Sequence, residues 1–189
     1  MKLEITGDYS VAIEQKTGIK ANEKYIVINP NASDLRLERR WPKASYAAII
    51  KTLIREHPSR KIVLIGNRAE ASYVDEISSE FTGEKRVVNS SGKISLAELI
   101  FLIANAELML TNDTGPMHIA YAVQTKTIAL FGPCSPEQYG HANNTVTLYK
   151  KVHCSPCVHR HILPPCKGDN ICMKNIGIEE VEMAIAGVS

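Results

Sequence analysis

Apolar and polar positions alternate along this chain in blocks rather than residue by residue. Tyr25-Ile-Val-Ile-Asn-Pro30 is an unbroken apolar run stopped by Asn-Pro, the pattern of a strand buried on both faces. From Tyr46 the apolar positions Tyr46, Ile49, Ile50, Leu53 and Ile54 fall at helical spacing, giving one buried stripe that ends before Pro58. Lys61-Ile-Val-Leu-Ile-Gly66 repeats the strand pattern, with glycine at the exit turn. Residues 69–81 are helical in pattern, and Arg86-Val-Val-Asn89 predicts a short third strand. Ser95 caps the next helix, whose stripe is Leu96, Leu99, Ile100 and Ile103, and Glu98 completes a capping box. Leu108-Met-Leu110 opens a fourth strand. It runs into a helix with Gly115 as N-cap and Pro116 in the first turn, where a missing N–H costs nothing. Lys126-Thr-Ile-Ala-Leu-Phe131 leaves through Gly132-Pro133, residues 145–149 predict a last strand, and residues 178–185 a final helix.

Strand and helix therefore alternate from residue 25 onward, which predicts an α/β fold with a doubly wound parallel sheet and helices on both faces. Residues 1–22 read as a lead-in segment or an interdomain connection: Leu3 and Ile5 alternate with charged neighbours, and Val11, Ala12 and Ile13 suggest a short helix stopped near Gly18. Residues 23–189 read as one Rossmann-like domain carrying a cysteine-rich segment at 153–172.

Composition removes several classes of function. A formal net charge of +2 gives no general basic field for nucleic acid or membrane. No apolar run approaches the roughly 20 residues that span a bilayer, and the N-terminus lacks the apolar core of a signal peptide. The expected location is cytoplasmic, with peripheral association with the inner face of the membrane left open.

In a doubly wound sheet, ligands sit outside the carboxyl ends of the strands. The polar clusters of this chain follow those ends: 29–40, 66–70, 89–93, 112–118 and 132–139. In the fourth of them the free N–H groups and positive dipole end of a helix coincide, making an anion site. Asp113, Thr114 and His118 surround it. A carboxylate cannot itself grip an anion, so Asp113 fits hydroxyls beside one. The cluster therefore describes a site for a phosphate ester carrying a sugar. The competing reading is that Asp113 and Thr114 only cap the helix and that His118 is a satisfied surface histidine. The fingerprints GxGxxG and GxxxxGK[ST] are absent, as is an Asp-x-Asp pair for a divalent metal. A bound diphosphate would then be neutralised by Arg39 and Arg40, whose planar forks suit phosphate oxygens, or these arginines solvate an exposed loop.

Asn112-Asp-Thr-Gly-Pro-Met-His118, then Ala-Leu-Phe-Gly-Pro133 and Tyr139-Gly140, resemble the signature of glycosyltransferase family 9, which contains the lipopolysaccharide heptosyltransferases. Asn29-Pro30, Ala32-Ser33 and Arg40-Trp41-Pro42 resemble that family's loop after the first strand of its C-terminal domain. The resemblance implies the C-terminal, donor-binding half of a two-domain GT-B enzyme. On this analogy the chain serves inverting, metal-independent transfer of a sugar from a nucleotide-diphosphate sugar, similar to ADP-heptose, to a lipopolysaccharide or other glycan acceptor. The resemblance places Thr114 and Gly115 on the diphosphate and Asp113 on the sugar hydroxyls. Arg39 falls where the family often has a phosphate-binding lysine, Glu70 on the ribose, Ile94 near the base and His118 on the signature histidine. It puts no catalytic residue in this chain. The general base and the lipid or glycan acceptor belong to an N-terminal domain with no counterpart here, so the chain alone is expected to be inactive. Asn31 departs from the glycine common at its position. A non-catalytic module that binds a nucleotide or sugar phosphate is the alternative function.

Cys154-x2-Cys157-x8-Cys166-x5-Cys172, with His153, His159 and His161 interspersed, leaves three readings: a structural zinc site, disulfides, or reduced and partly buried thiols. No cofactor is required by the chemistry. Cys134 stands apart as a small buried residue or a loop thiol.

Overall fold

Six strands hydrogen-bond side by side, all parallel, in a computed structural model that describes residues 7–32, 34–140, 143–158 and 160–188. Leu3, Ile5, Ser33 and His159 lie outside the described residues. The strands are β1 (Tyr25–Asn29), β2 (Lys61–Leu64), β3 (Val87–Asn89), β4 (Leu108–Asn112), β5 (Thr127–Phe131) and β6 (Thr145–Tyr149), in the spatial order β3-β2-β1-β4-β5-β6. The chain thus winds outward from β1 to β3, returns to the other side of β1, and winds outward again to β6. Parallel strands need crossovers, and helices supply them: α2 (Lys43–Glu56), α3 (Ala71–Ser78), α4 (Leu96–Ala104) and α5 (Gly115–Val123).

β1, β4 and β5 are buried at every position, so the unbroken apolar runs are what a sheet covered on both faces demands. One core layer joins Ile26, Ile28, Leu64, Leu110 and Leu130 to Ile49, Ile50 and Leu53 of α2 and to Val181 and Ile185 of α8 (Ile178–Val188). The layer on the other face joins Val27, Val63 and Met109 to Leu102 and Ile103 of α4, and to Ile13 and Ile19 around α1 (Ser10–Thr17). Lys16 of α1 reaches Glu98 at 2.7 Å, and Glu98 also closes the capping box with Ser95.

The structure corrects three expectations. The α4 stripe is rotated: Leu102 and Ile103 are buried while Leu96 stays 66% exposed. Thr114, in extended conformation, is the N-cap of α5, and Gly115 is its first helical residue. Two short helices, α6 (Pro136–Tyr139) and α7 (Ile171–Lys174), and a 3-10 turn at Asp34–Arg39 occupy stretches that read as loop. α7 is held by packing: a Cβ on Gly132 would come within 2.9 Å of the Cys172 sulfur, so glycine lets α7 close on the end of β5.

Candidate functional site

The reversal of winding direction lies between β1 and β4, and the crevice at their carboxyl ends is where this architecture binds ligands. Three asparagines build it. Asn29, at the end of β1, donates to Thr111 Oγ1 (3.0 Å) and Thr114 Oγ1 (2.8 Å), bridging to β4 and to the start of α5. Asn112, at the end of β4, is fully buried. Its side-chain nitrogen donates to the carbonyls of Pro30 and Asn31, and its oxygen accepts from the Trp41 N–H and the Tyr46 hydroxyl. Burial pushes the Tyr46 phenol well above its ordinary range, so it stays a proton donor to Asn112. Asn31 donates to the Ile65 carbonyl at 2.6 Å, and a Cβ on Gly66 would meet that amide at 2.9 Å. The Asn31 side chain thus ties the loop after β1 to the exit of β2.

On this frame sits the turn Asp113-Thr114-Gly115. The Thr114 hydroxyl accepts from Asn29 and donates to the Asn112 carbonyl, and no side chain caps the first turn of α5. Of the capping reading, only the backbone position of Thr114 is found. A Cβ built on Gly115 meets nothing within 4 Å, so open space rather than protein packing lies over the helix end. Asp113 is 4% exposed, and its Oδ2 is buried with no hydrogen-bond partner. An unpartnered buried carboxylate oxygen is costly, and a ligand hydroxyl would satisfy it. Arg39 lies across the turn, donating from Nη1 to the Asp113 carbonyl at 3.3 Å and standing 3.8 Å from its Oδ2. Cys134, 1% exposed, has its thiol pushed up by burial and by the neighbouring Asp113 carboxylate, so it remains a neutral wall of the crevice.

The other predicted residues are spread along the same edge of the sheet. Glu70 precedes α3 after β2, exchanging hydrogen bonds with Asn67. Ile94 follows β3, half-buried against the second core layer. His118 is exposed one turn into α5, edge-on to the rings of Tyr121 and Tyr139. Arg40 is engaged elsewhere: it donates to the Ala32 carbonyl and lies 4.0 Å above the Tyr73 ring. The two arginines therefore differ, with Arg39 on the turn and Arg40 locking the loop after β1. Asn29 and Asn112 fall within the polar clusters at the strand ends, but their part in building the crevice depends on contacts distant in sequence. Their signal was a polar residue closing a buried apolar run.

The cysteine-rich segment is fastened beside this edge, with the N–H groups of Cys157 and Val158 donating to the Pro133 carbonyl. All four of its cysteines are unbridged, and Cys157 and Cys172 are buried. The thiols share one neighbourhood: burial, then the nearby cysteines Cys154 and Cys166 among other groups, raise the pKa of Cys157. Cys172 is raised to about 11 by burial and by the same neighbours. Among the described residues, which leave out His159, no three His, Cys, Asp or Glu side chains are gathered to hold a metal ion. Nor, among those residues, is any helix long and apolar enough to cross a membrane.

Known proteins with this arrangement include heptosyltransferases and, at 12% identity with a TM-score of 0.63, a UDP-GlcNAc 2-epimerase from Methanocaldococcus jannaschii. Lipooligosaccharide heptosyltransferase 2 of Haemophilus influenzae is 33% identical over 141 residues, covering 74% of this chain and 40% of that protein. The solved structure of E. coli ADP-heptose lps heptosyltransferase II superposes with a TM-score of 0.81 at 22% identity, covering 99% of this chain and 53% of that one. An E. coli heptosyltransferase WaaC holding ADP-2-deoxy-2-fluoro heptose superposes with a TM-score of 0.65 at 19% identity. The chain thus spans about half the length of these relatives. Since the family model for glycosyltransferase family 9 (heptosyltransferase) matches residues 3–166, nearly the whole of the alternating strand and helix pattern, the chain belongs to that family.

Proposed function

We propose that this chain is the donor-binding half of an inverting, metal-independent GT-B glycosyltransferase, and that the crevice between β1 and β4 takes a nucleotide-diphosphate sugar similar to ADP-heptose. The observation that supports it most is the open N-terminus of α5, without a side-chain cap, beside a buried carboxylate oxygen that lacks a hydrogen-bond partner. The helix end suits the diphosphate, with Thr114 and Gly115 against it and Arg39 as counter-charge. Asp113 suits the sugar hydroxyls. Glu70 would accept from the ribose and Ile94 would lie near the base, consistent with their places at the ends of β2 and β3. When an acceptor hydroxyl attacks the anomeric carbon, negative charge grows on the leaving diphosphate. Preorganised donors at α5, with Arg39 and His118, would stabilise it there.

The general base and the glycan or lipid acceptor are assigned to the half of the relatives that this chain does not span, as is activity of the whole protein. Calorimetric titration with ADP and with an ADP-sugar, each with and without EDTA, tests the reading. The expected result is binding of both, tighter for the sugar conjugate and unchanged by EDTA. Strict magnesium dependence, or no binding of either, overturns it.

A further inference from the structure

Sequence and structure combine in an unusual way between Gln138 and Gly168. This stretch contains no aspartate or glutamate but carries Lys150, Lys151, Arg160 and Lys167. Lys150 is paired with Glu180, whereas Lys151, Arg160 and Lys167 make no ion pair among the described residues. Between Arg160 and Lys167, Ile162 is 91% exposed and Leu163 79% exposed. Two adjacent aliphatic side chains left this fully in water are uncommon unless something covers them. Their backbone is placed, not trailing: Arg36 Nη1 donates to the Ile162 carbonyl at 3.2 Å, and Leu37 beside it is 47% exposed. Just before them, Arg160 and Lys151 line a cavity of about 480 Å3 together with Ser135, Gln138, Tyr149 and Ser155, with Glu137 the one carboxylate among its lining residues.

We propose that this loop is a docking surface for an anionic lipid bilayer. Ile162 and Leu163 insert among the acyl chains, and Arg160 and Lys151 meet lipid phosphates, with the adjoining cavity receiving a headgroup. Charge decides for this occupant: a stretch of cations free of carboxylates, flanking exposed aliphatics, matches a negatively charged surface. Its position deepens the donor reading, on which this part of the inference rests. The Cys157 and Val158 N–H groups pin the base of the loop to Pro133 at the end of β5, the same edge of the sheet as the crevice. A bilayer met there would present a lipid-anchored acceptor to the sugar end of the site.

Co-sedimentation of the chain with vesicles of phosphatidylcholine alone, and of equimolar phosphatidylcholine and phosphatidylglycerol, tests the docking. The expected result is binding to the anionic vesicles only, weakened by salt. The Ile162→Ser/Leu163→Ser double variant and Arg160→Glu should each lower that binding at least about tenfold. These exposed positions leave the fold intact, so ADP binding should be unchanged. Absence of binding to anionic vesicles, equal binding to neutral ones, or variants that bind like the parent would overturn the proposal. Loss of vesicle binding with ADP binding retained leaves the donor reading standing, whereas loss of ADP binding with vesicle binding retained does the reverse.

Discussion

At the scale of single residues, the crevice separates groups that build it from groups that would meet a ligand. Asp113 belongs to the second kind, because its buried Oδ2 has no hydrogen-bond partner, with Arg39 standing 3.8 Å away. Asp113→Asn should leave folding intact and affinity for bare ADP unchanged or slightly raised, since Arg39 is then freer to turn to phosphate. Affinity for the ADP-sugar should fall tenfold or more, because hydrogen bonds to a charged acceptor contribute roughly 1.5–3 kcal/mol. Calorimetry with both ligands on one variant checks this. Equal losses for both would remove the sugar from Asp113. Asn112 belongs to the first kind. Asn112→Ala strands two donors, on Trp41 and Tyr46, and two backbone carbonyls, all inside the protein. At about 1–3 kcal/mol for each group left unpaired, after relaxation, the cost should be roughly 3–5 kcal/mol. Thermal denaturation should show a midpoint lower by roughly 10 °C. A midpoint within a degree or two of the parent would mean the hub is dispensable.

At the scale of elements, what the sequence made legible was whatever depends on local periodicity. The runs at 25–30, 61–66 and 126–131 announced β1, β2 and β5, and Ser95 with Glu98 announced the start of α4. Less legible was anything whose cause lies elsewhere in the chain. α7 is four residues long and buries Cys172 and Met173 against the end of β5, so no stripe precedes it in the sequence. Leu96 looked like core because the pattern gives the stripe its spacing but not its rotation. The site shows the same division. The turn at 113–115 was readable from Pro116 and the neighbouring polar groups. The bridge from Asn29 to Thr114 was not, since it needs β1 beside β4, an adjacency across 85 positions of sequence. The contact of α1 with α4 leads to a pH prediction. Glu98 is held below its ordinary 4.5 by Lys16 first and by the Ser95 N–H next. A carboxylate with a lowered folded-state pKa stabilises above its ordinary value, and that contribution is lost as pH falls through the lowered one. Glu98→Gln should therefore cost up to about 1 kcal/mol at neutral pH, given that Lys16 is partly exposed. The cost should vanish in acid below the carboxylate range. Urea midpoints of both proteins across that range provide the measurement, and a constant difference at every pH would rule the linkage out.

At the scale of the whole molecule, the sheet order places every proposed ligand contact on one edge. Base, diphosphate and sugar would lie in sequence from β3 towards β5. The opposite edge of the strands carries ordinary packing and ion pairs, such as Arg60 with Glu107 at 2.5 Å. In the proposed arrangement one edge would be enough to bind a donor, because the helix end, Arg39 and Asp113 all come from this chain. Saturating donor should accordingly raise the melting temperature of this chain alone. A hundredfold excess over Kd gives about 2.7 kcal/mol, or roughly 5–10 °C for a domain of this size. Transfer is a different demand. It needs an acceptor hydroxyl positioned against the anomeric carbon and a base to take its proton, and Asp113 is occupied with the donor's own hydroxyls in the proposed arrangement. The chain covers 53% of the solved E. coli heptosyltransferase II structure, and we assign both missing functions to the part it does not cover. The expected outcome is thus a stabilised but idle complex: ADP-sugar bound, with no sugar moved to an added lipid acceptor. Slow release of free sugar to water would not count against this, since water requires no acceptor site. Steady turnover onto the acceptor by this chain alone would, because base and acceptor site would then have to lie within the residues described here.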